Sequence, residues 1–436
     1  MSKGRTPWLW VPTLYFAEGI PYFIVNVVSV TMFKRMGMGN AELAMYTSLL
    51  YLPWVIKPLW SPLVDVVRTK RWWILMMQAL LTLCFAGLAL SLPSRTGEPV
   101  SAFAVCLIIF YISAMLSATH DIAADGYYML ALDEHRQSLF VGIRSTFYRI
   151  ASVFGQGVIV VVAGLLETRY GDIPRAWRVT LLLSAGLFLL VTLWHQFILP
   201  AEKPSATGAS PKASAVIPSE AKESPRSIWS AFATFFRKPG VWLAIIFMLL
   251  YRLPEALSVK MLTPFMLDAV GDGGLGLSTA QSGLVYGTVG VIALTVGGIL
   301  GGIWSARVGL RKALWPMALA LALPCSVYLF MALAQPSNIL TIYFCVALDQ
   351  FGYGFGFTAY MLYMMYFSQG QYSTSHYAIC TAFMALSMMI PGFFAGMLQE
   401  ALGYPGFFVL VMVCCLATVL VTALLPSRID PSYGRK

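Results

Sequence analysis

Long stretches of this chain contain no Lys, Arg, Asp or Glu, among them residues 72–94, 179–201, 313–348, 350–399 and 401–427. A helix needs about 20 apolar residues to cross the hydrocarbon core of a bilayer. The 50-residue run 350–399 is long enough for more than one crossing, and its polar segment 368–375 reads as a short loop between two of them. Composition supports the same reading. The chain is 58% hydrophobic and 11% charged, with a mean hydropathy of +0.74, against about 25% charged residues in a soluble domain. So apolar a chain cannot cover itself in water. This argues against a soluble enzyme or a nucleic-acid-binding protein, and equally against disorder or a coiled coil.

Dividing the 436 residues by roughly 36 per span and connection gives about twelve spans. Hydropathy places them at 8–33, 43–64, 72–92, 100–131, 138–166, 176–199, 241–268, 278–306, 312–334, 337–367, 375–400 and 404–425. The spans are expected to be helices, because a closed barrel would show short alternating strands. Lys3 and Arg5 precede the first apolar run as in a signal peptide, but that run is long and carries Glu18 and Asn26, so an uncleaved first helix is expected. The longest polar segment, 200–226, is rich in Ala, Ser, Pro, Lys and Glu and reads as a flexible linker. It divides the chain into six spans before and six after, a pattern of two repeated bundles. The expected units are 1–199, a linker over 200–240, and 241–436.

The net charge of +10 reads as topology rather than as a sign of an anionic partner. Eighteen Lys and Arg lie at the termini and the even-to-odd connections, against six in the odd-to-even connections. Both termini and the linker are therefore expected in the cytoplasm, with the chain in a cell inner membrane. The seven cysteines all lie in apolar runs without CxxC spacing, and the chain has four histidines. Neither a disulfide framework nor a metal site is expected.

A charge at the bilayer centre costs on the order of 3 kcal/mol, so those retained should face a cavity or one another. The charged candidates are Glu18, Lys57, Asp121, Asp125, Arg149, Arg252, Glu255, Lys260 and Asp349. Asp121 and Asp125 are four apart and share one helical face. Repulsion between two buried carboxylates favours a proton on one of them, as a proton-coupled carrier requires; the bland alternative is that Arg149 holds both ionised. Arg252 and Glu255 flank Pro254, which should kink span 7 into a gate or substrate contact, or leave a self-neutralising pair. Glu18 precedes Gly19 and Pro21, so span 1 is expected to break at the equivalent place in the first half. Span 10 carries Asp349, Gln350, three alternating glycines and Tyr360, a pattern for close packing or for stacking on a sugar or base. His120 and His376 are candidates for hydrogen bonding or a proton relay rather than metal ligands.

A weak internal repeat links residues 61–71 (SPLVDVVRTKR), after span 2, to 302–312 (GIWSARVGLRK), after span 8. The second copy resembles the G-x-x-x-D-R-x-G-R-K loop of the major facilitator superfamily, with Ala306 in place of Asp. Longer segments are similar to the AmpG-type muropeptide permeases of that superfamily and to their relatives the acetyl-CoA transporters. Phe16-Ala-Glu-Gly-Ile-Pro resembles F-x-x-G-[IL]-P, and Lys57-Pro-Leu-Trp-Ser-Pro-Leu-Val-Asp65 resembles K-x-L-W-[SA]-P-L-x-D. Asp121-Ile-Ala-Ala-Asp125 is similar to Q-D-I-x-x-D, with His120 at the usual Gln; Tyr148-Arg149 is similar to Y-R, and Tyr251-Arg252-Leu-Pro-Glu255-Ala to Y-[KR]-x-x-[DE]-A.

The resemblance implies an all-α membrane protein with the major facilitator superfamily fold, twelve transmembrane helices in two six-helix bundles. It implies inward proton symport of anhydro-muropeptides, chiefly N-acetylglucosaminyl-1,6-anhydro-N-acetylmuramic acid with or without its peptide, for peptidoglycan recycling. The residues are compatible with this. Asp121, Asp125 and Glu18 are the candidates for proton coupling. Arg149, Arg252, Lys57 and Lys260 offer cations to a carboxylate, with Glu255, Asp349, Gln350, His120 and Tyr360 as further substrate candidates. A transporter of another bulky anion, acetyl-CoA or a siderophore complex, is the alternative. No nucleophile–base set for an enzyme stands out, and there is no G-x-x-x-x-G-K-[ST] loop, so the expected energy source is an ion gradient, with no cofactor. The chain is expected as a monomer in the bilayer, without a nucleic-acid partner.

Overall fold

The computed structural model describes residues 6–132, 134–200, 225–370 and 372–433. No strand occurs among them; every regular element is helical. Twelve spans follow in chain order. Spans 1, 3 and 4 are Pro7–Arg35, Lys70–Ser91 and Val100–Ala131. Span 2 occupies 40–66 and span 5 occupies 134–170. Spans 6 to 10 are Ile173–Ile198, Val241–Leu267, Thr279–Val308, Leu310–Ala334 and Ile339–Ser368. Spans 11 and 12 share the helical stretch Ser373–Ala423, divided at Gly403, whose φ of 67° takes the backbone out of the helix between them. Spans 1–6 and 7–12 form two six-helix bundles.

Lipid is as apolar as leucine, so helices in a bilayer associate through close packing rather than through exclusion of water. Span 10 illustrates this. A methyl on Gly354 would overlap the Leu294 carbonyl of span 8, and one on Gly352 or Gly356 the Ala320 or Met317 carbonyl of span 9. The alternating glycines therefore set the depth at which span 10 seats between its two neighbours.

The helix breaks fall differently from expectation. Span 7 breaks as Pro254 implies: Val241–Leu250 ends, Arg252 leaves the helical region (φ −102°, ψ 9°), and Leu253–Leu267 restarts with the proline in its first turn, where its missing N–H costs nothing. Thr418 donates to the Tyr251 carbonyl beside the break (2.9 Å). Span 1 does not break at Glu18–Pro21. The helix runs through both Pro12 and Pro21 and absorbs the mismatch as a π-helical turn at Ile24–Val28. Span 2, expected as one helix, comes in pieces: Asn40–Leu49, Leu52–Ile56, a 3₁₀ turn at Lys57–Leu59, and Ser61–Val66. Pro53, Pro58 and Pro62 each remove a backbone donor there.

Of the expected linker over 200–240, residues 201–224 lie outside the described residues, and Pro225–Phe236 is a helix. Its Phe235 is fully buried against Phe367 and Phe383, so this segment is anchored to spans 10 and 11. The side chain of Asp65, the acid of the first loop copy, also lies outside the description.

The two ends of the molecule differ. At the end carrying the odd-to-even connections, here the far end, the bundles lock together. Asn40 of span 2 donates to Gln399 (2.7 Å) and Asp268 (3.3 Å) and bonds the Tyr404 hydroxyl (3.2 Å). Asp268 also pairs with Lys34 of span 1 (2.5 Å). Thr279 of span 8 donates to Glu167 of span 5 (2.6 Å), which Arg35 and Trp177 hold as well. Glycines admit the close approaches: a methyl on Gly164 would overlap Ala280, one on Gly396 the Asn40 carbonyl, and one on Gly287 the Gln156 backbone. Toward the opposite end, here the linker end, Lys57, Asp121, Asp125 and Arg144 keep between 21% and 35% of their side-chain surface exposed, although they sit well inside their spans.

Candidate functional site

Span 4 is one uninterrupted helix from Ala104 to Ala131, so the four-residue spacing places Asp121 and Asp125 on one face as expected. Each has its own cation. Lys57, carried on the 3₁₀ turn of span 2, pairs with Asp121. Arg144 of span 5 pairs with Asp125 (2.8 Å), to which Tyr15 also donates (3.0 Å), and its guanidinium lies 4.5 Å over the Tyr15 ring. Glu18 of span 1, buried, lies within electrostatic reach of both aspartates, and its Oε2 has no hydrogen-bond partner. The cluster thus sets three carboxylates against two cations in direct ion pairs.

Arg149 does not take the expected place beside Asp121 and Asp125. It lies a turn and a half deeper along span 5 than Arg144, against Gly298 of span 8, and no carboxylate pairs with it among the described residues. Counting inward from the connection between spans 4 and 5 would have matched Arg144 to the depth of Asp125.

The second bundle is built differently. The break in span 7 turns Arg252 back onto its own helix. The guanidinium makes two parallel bonds to Glu255 (2.7 and 2.8 Å), accepts cover from the Phe357 ring at 4.7 Å and donates to the Tyr353 hydroxyl (2.9 Å). This is a closed, buried, bidentate pair. Asp349 is also satisfied, accepting from Tyr328 (2.5 Å) and Gln350 (3.0 Å) inside the bundle. Lys260, buried, has only neutral partners, the Thr47 hydroxyl at 3.1 Å and the Tyr51 ring at 5.5 Å.

Two candidates turn out to face their own bundles. His120 packs away from the aspartate face, on Gln78 (2.9 Å), which bonds His195 (2.9 Å), which in turn bonds Thr13 (3.0 Å). This chain ties spans 1, 3, 4 and 6 together. Tyr360 is fully buried, stacks on Tyr251 and donates to the Met248 carbonyl (2.7 Å). His376 bonds Thr234 of the helix after the linker (3.1 Å).

The aromatic residues that do stand between the clusters are others. Tyr22 of span 1 lies within reach of Asp121 on one side and of Arg252 and Glu255 on the other. Tyr51 and Tyr148 join it from the first bundle, Tyr286 and Tyr353 from the second. Nothing in their local sequence marks them. They belong together only because the bundles face one another.

The family profile described as Major Facilitator Superfamily matches residues 13–368. This chain belongs to that superfamily. Its relatives among known proteins carry AmpG-type names. Transporter AmpG 4 of Rickettsia conorii is 24% identical over 426 residues, covering 96% of each chain. The anhydromuropeptide permease of Escherichia coli K12 is 25% identical over 402 residues, covering 91% of this chain and 74% of that one. Among solved structures, a bacterial homologue of the human lysosomal transporter Spinster superposes with a TM-score of 0.72 at 15% identity, over 98% of both chains. A D-xylose–proton symporter gives 0.67 at 13% identity, also over 98% of both. The fold is that of a membrane transporter.

Proposed function

We propose that the protein is a proton-driven importer of anhydro-muropeptides, N-acetylglucosaminyl-1,6-anhydro-N-acetylmuramic acid with or without peptide, acting in peptidoglycan recycling. It would sit in a bacterial inner membrane with both termini in the cytoplasm and work as a monomer without a cofactor. The observation that carries this reading is the pairing of two unlike groups between the bundles: an acid-rich cluster in the first bundle, and beside it tyrosines from both bundles. The AmpG-type names of the relatives support the cargo.

The chemistry follows from the counts. Three carboxylates against two paired cations leave one negative charge in excess, inside the membrane. A proton cancels it at the least cost. A proton arriving on Asp121 also frees Lys57, which can then meet an anionic cargo. Tyrosine faces suit the apolar faces of sugar rings while their hydroxyls bond the sugar edges. The far-end contacts and the exposed linker-end cluster are the two ends between which alternating access would operate.

The test is uptake of the labelled disaccharide into proteoliposomes with and without an inward proton gradient, challenged with acetyl-CoA. Gradient-dependent accumulation that excess acetyl-CoA leaves intact supports the proposal. Uptake of labelled acetyl-CoA in its place would transfer the cargo to that class.

A further inference from the structure

Lys260 combines burial with the lack of an acid. Lys57, Arg144 and Arg252 each pair with an acid, and Arg149, which has none among the described residues, is only half-buried. Lys260 is 94% buried, and no carboxylate pairs with it among the described residues. An ammonium in that position is costly unless something it lacks arrives. Its surroundings are built for such an arrival. A cavity with about 30 Å³ of space for water lies between the bundles, lined by Asn26 and Tyr51 from the first and by Lys260, Thr263 and Tyr286 from the second. That is room for roughly two waters, and so for a carboxylate.

A buried hydroxyl close to Lys260 lacks a partner. Ser48 is fully buried and its Oγ has no hydrogen-bond partner. It lies on the Lys260 side of span 2: a methyl on Gly392 would sit 2.7 Å from its Oγ and 3.1 Å from Lys260 Cε. Buried polar groups are nearly always satisfied, so an orphan donor beside a buried cation points to a ligand that accepts from both. The cation needs an acceptor, the Ser48 hydroxyl has a proton to donate, and both requirements are met by one carboxylate. Lys260 also lies deeper toward the far end than the Arg252–Glu255 pair, five residues beyond Glu255 along span 7.

We propose that Lys260, with Ser48 and Tyr51, forms a carboxylate subsite at the deep end of the transport path, which takes the lactyl carboxylate of the muramic acid while the rings stay among the tyrosines. The subsite rests on the cargo reading above and names the group that the cargo anchors. Because Lys260 belongs to the second bundle and Ser48 and Tyr51 to the first, a bound carboxylate is held by both at once. In the empty protein the Thr47 hydroxyl stands in for it.

The test is binding of the radiolabelled disaccharide acid and of its carboxamide to purified wild type, Lys260→Gln, Lys260→Arg and Thr47→Val. The wild type should prefer the acid about tenfold, the margin of one charge-assisted contact. Lys260→Gln should erase that preference and leave carboxamide affinity unchanged, and Lys260→Arg should keep part of it. Thr47→Val, which removes the stand-in partner while retaining the shape, should tighten acid binding alone; this variant decides the matter if Lys260→Gln does not fold. An undiminished preference in Lys260→Gln, or no change in Thr47→Val, overturns the subsite while leaving the cargo intact. A wild type that binds both compounds equally does the same. A wild type that binds neither overturns the cargo reading and the subsite with it.

Discussion

The two bundles solve the problem of charge in the membrane in opposite ways. In the second bundle the two acids inside the spans are closed off among the described residues: Glu255 by the two bonds from Arg252, and Asp349 by Tyr328 and Gln350. In the first bundle Glu18, Asp121 and Asp125 outnumber their paired cations, and both aspartates keep part of their surface exposed. Closed pairs hold a shape, whereas an open cluster with one charge too many exchanges protons. On the proposed function, the contrast gives motion of the proton to the first bundle and a fixed frame to the second, with Lys260 as a cation of that frame that no acid holds among the described residues.

The comparison breaks most visibly at the aspartates. Asp121→Asn and Asp125→Asn should each abolish accumulation against a gradient in proteoliposomes while keeping downhill exchange of cargo. Concentrative uptake that survives both substitutions would place the proton elsewhere. The second bundle should respond in stability instead. Glu255→Ala leaves Arg252 buried and unpaired and should cost about 3–5 kcal/mol, whereas Arg252→Leu combined with Glu255→Leu should recover most of it. Thermal unfolding in detergent separates the two variants, and a double variant as unstable as the single would remove the closed-pair account. At the far end, Asp268→Asn takes away the acceptor shared by Lys34, Asn40 and Tyr404. It should shift the protein toward opening there by about 1–3 kcal/mol, read as faster hydrogen exchange of the Ala41 amide, which Glu400 of the second bundle holds at 2.8 Å, with no change at the linker end. The smallest effect belongs to Tyr360→Phe. Loss of its bond to the Met248 carbonyl should cost about 1 kcal/mol, with cargo KM unchanged, whereas Tyr22→Ala should raise KM.

The fold was largely legible in the sequence because each span must satisfy its own backbone in lipid, so charge-free runs of the right length have few alternatives. Local breaks were legible only in part. Pro254 announced the kink in span 7, and Pro53, Pro58 and Pro62 carried an equally good signal for span 2 that apolarity concealed. Pro21 gave a misleading one, since a π-turn a few residues later absorbed it.

The site divided along the same line. The shared face of Asp121 and Asp125 and the Arg252–Glu255 pair follow from spacing within one helix, and both are present. Partners on other helices do not follow from spacing. Arg144 rather than Arg149 meets Asp125, His120 turns toward Gln78, and Asn40 finds Gln399 across 359 positions. The tyrosines between the bundles were invisible for the same reason, because a single span gives no sign of which of its faces meets the other bundle.

The central claim is that the open cluster of the first bundle carries the proton that moves with the cargo. It is tested most directly by adding the disaccharide acid to lightly buffered proteoliposomes with no imposed gradient and recording external pH. The account predicts an alkaline shift with wild type. It predicts no shift with Asp121→Asn or Asp125→Asn, although both still bind and exchange the disaccharide. Cargo entry without proton movement in the wild type, or an undiminished shift in both variants, would contradict it.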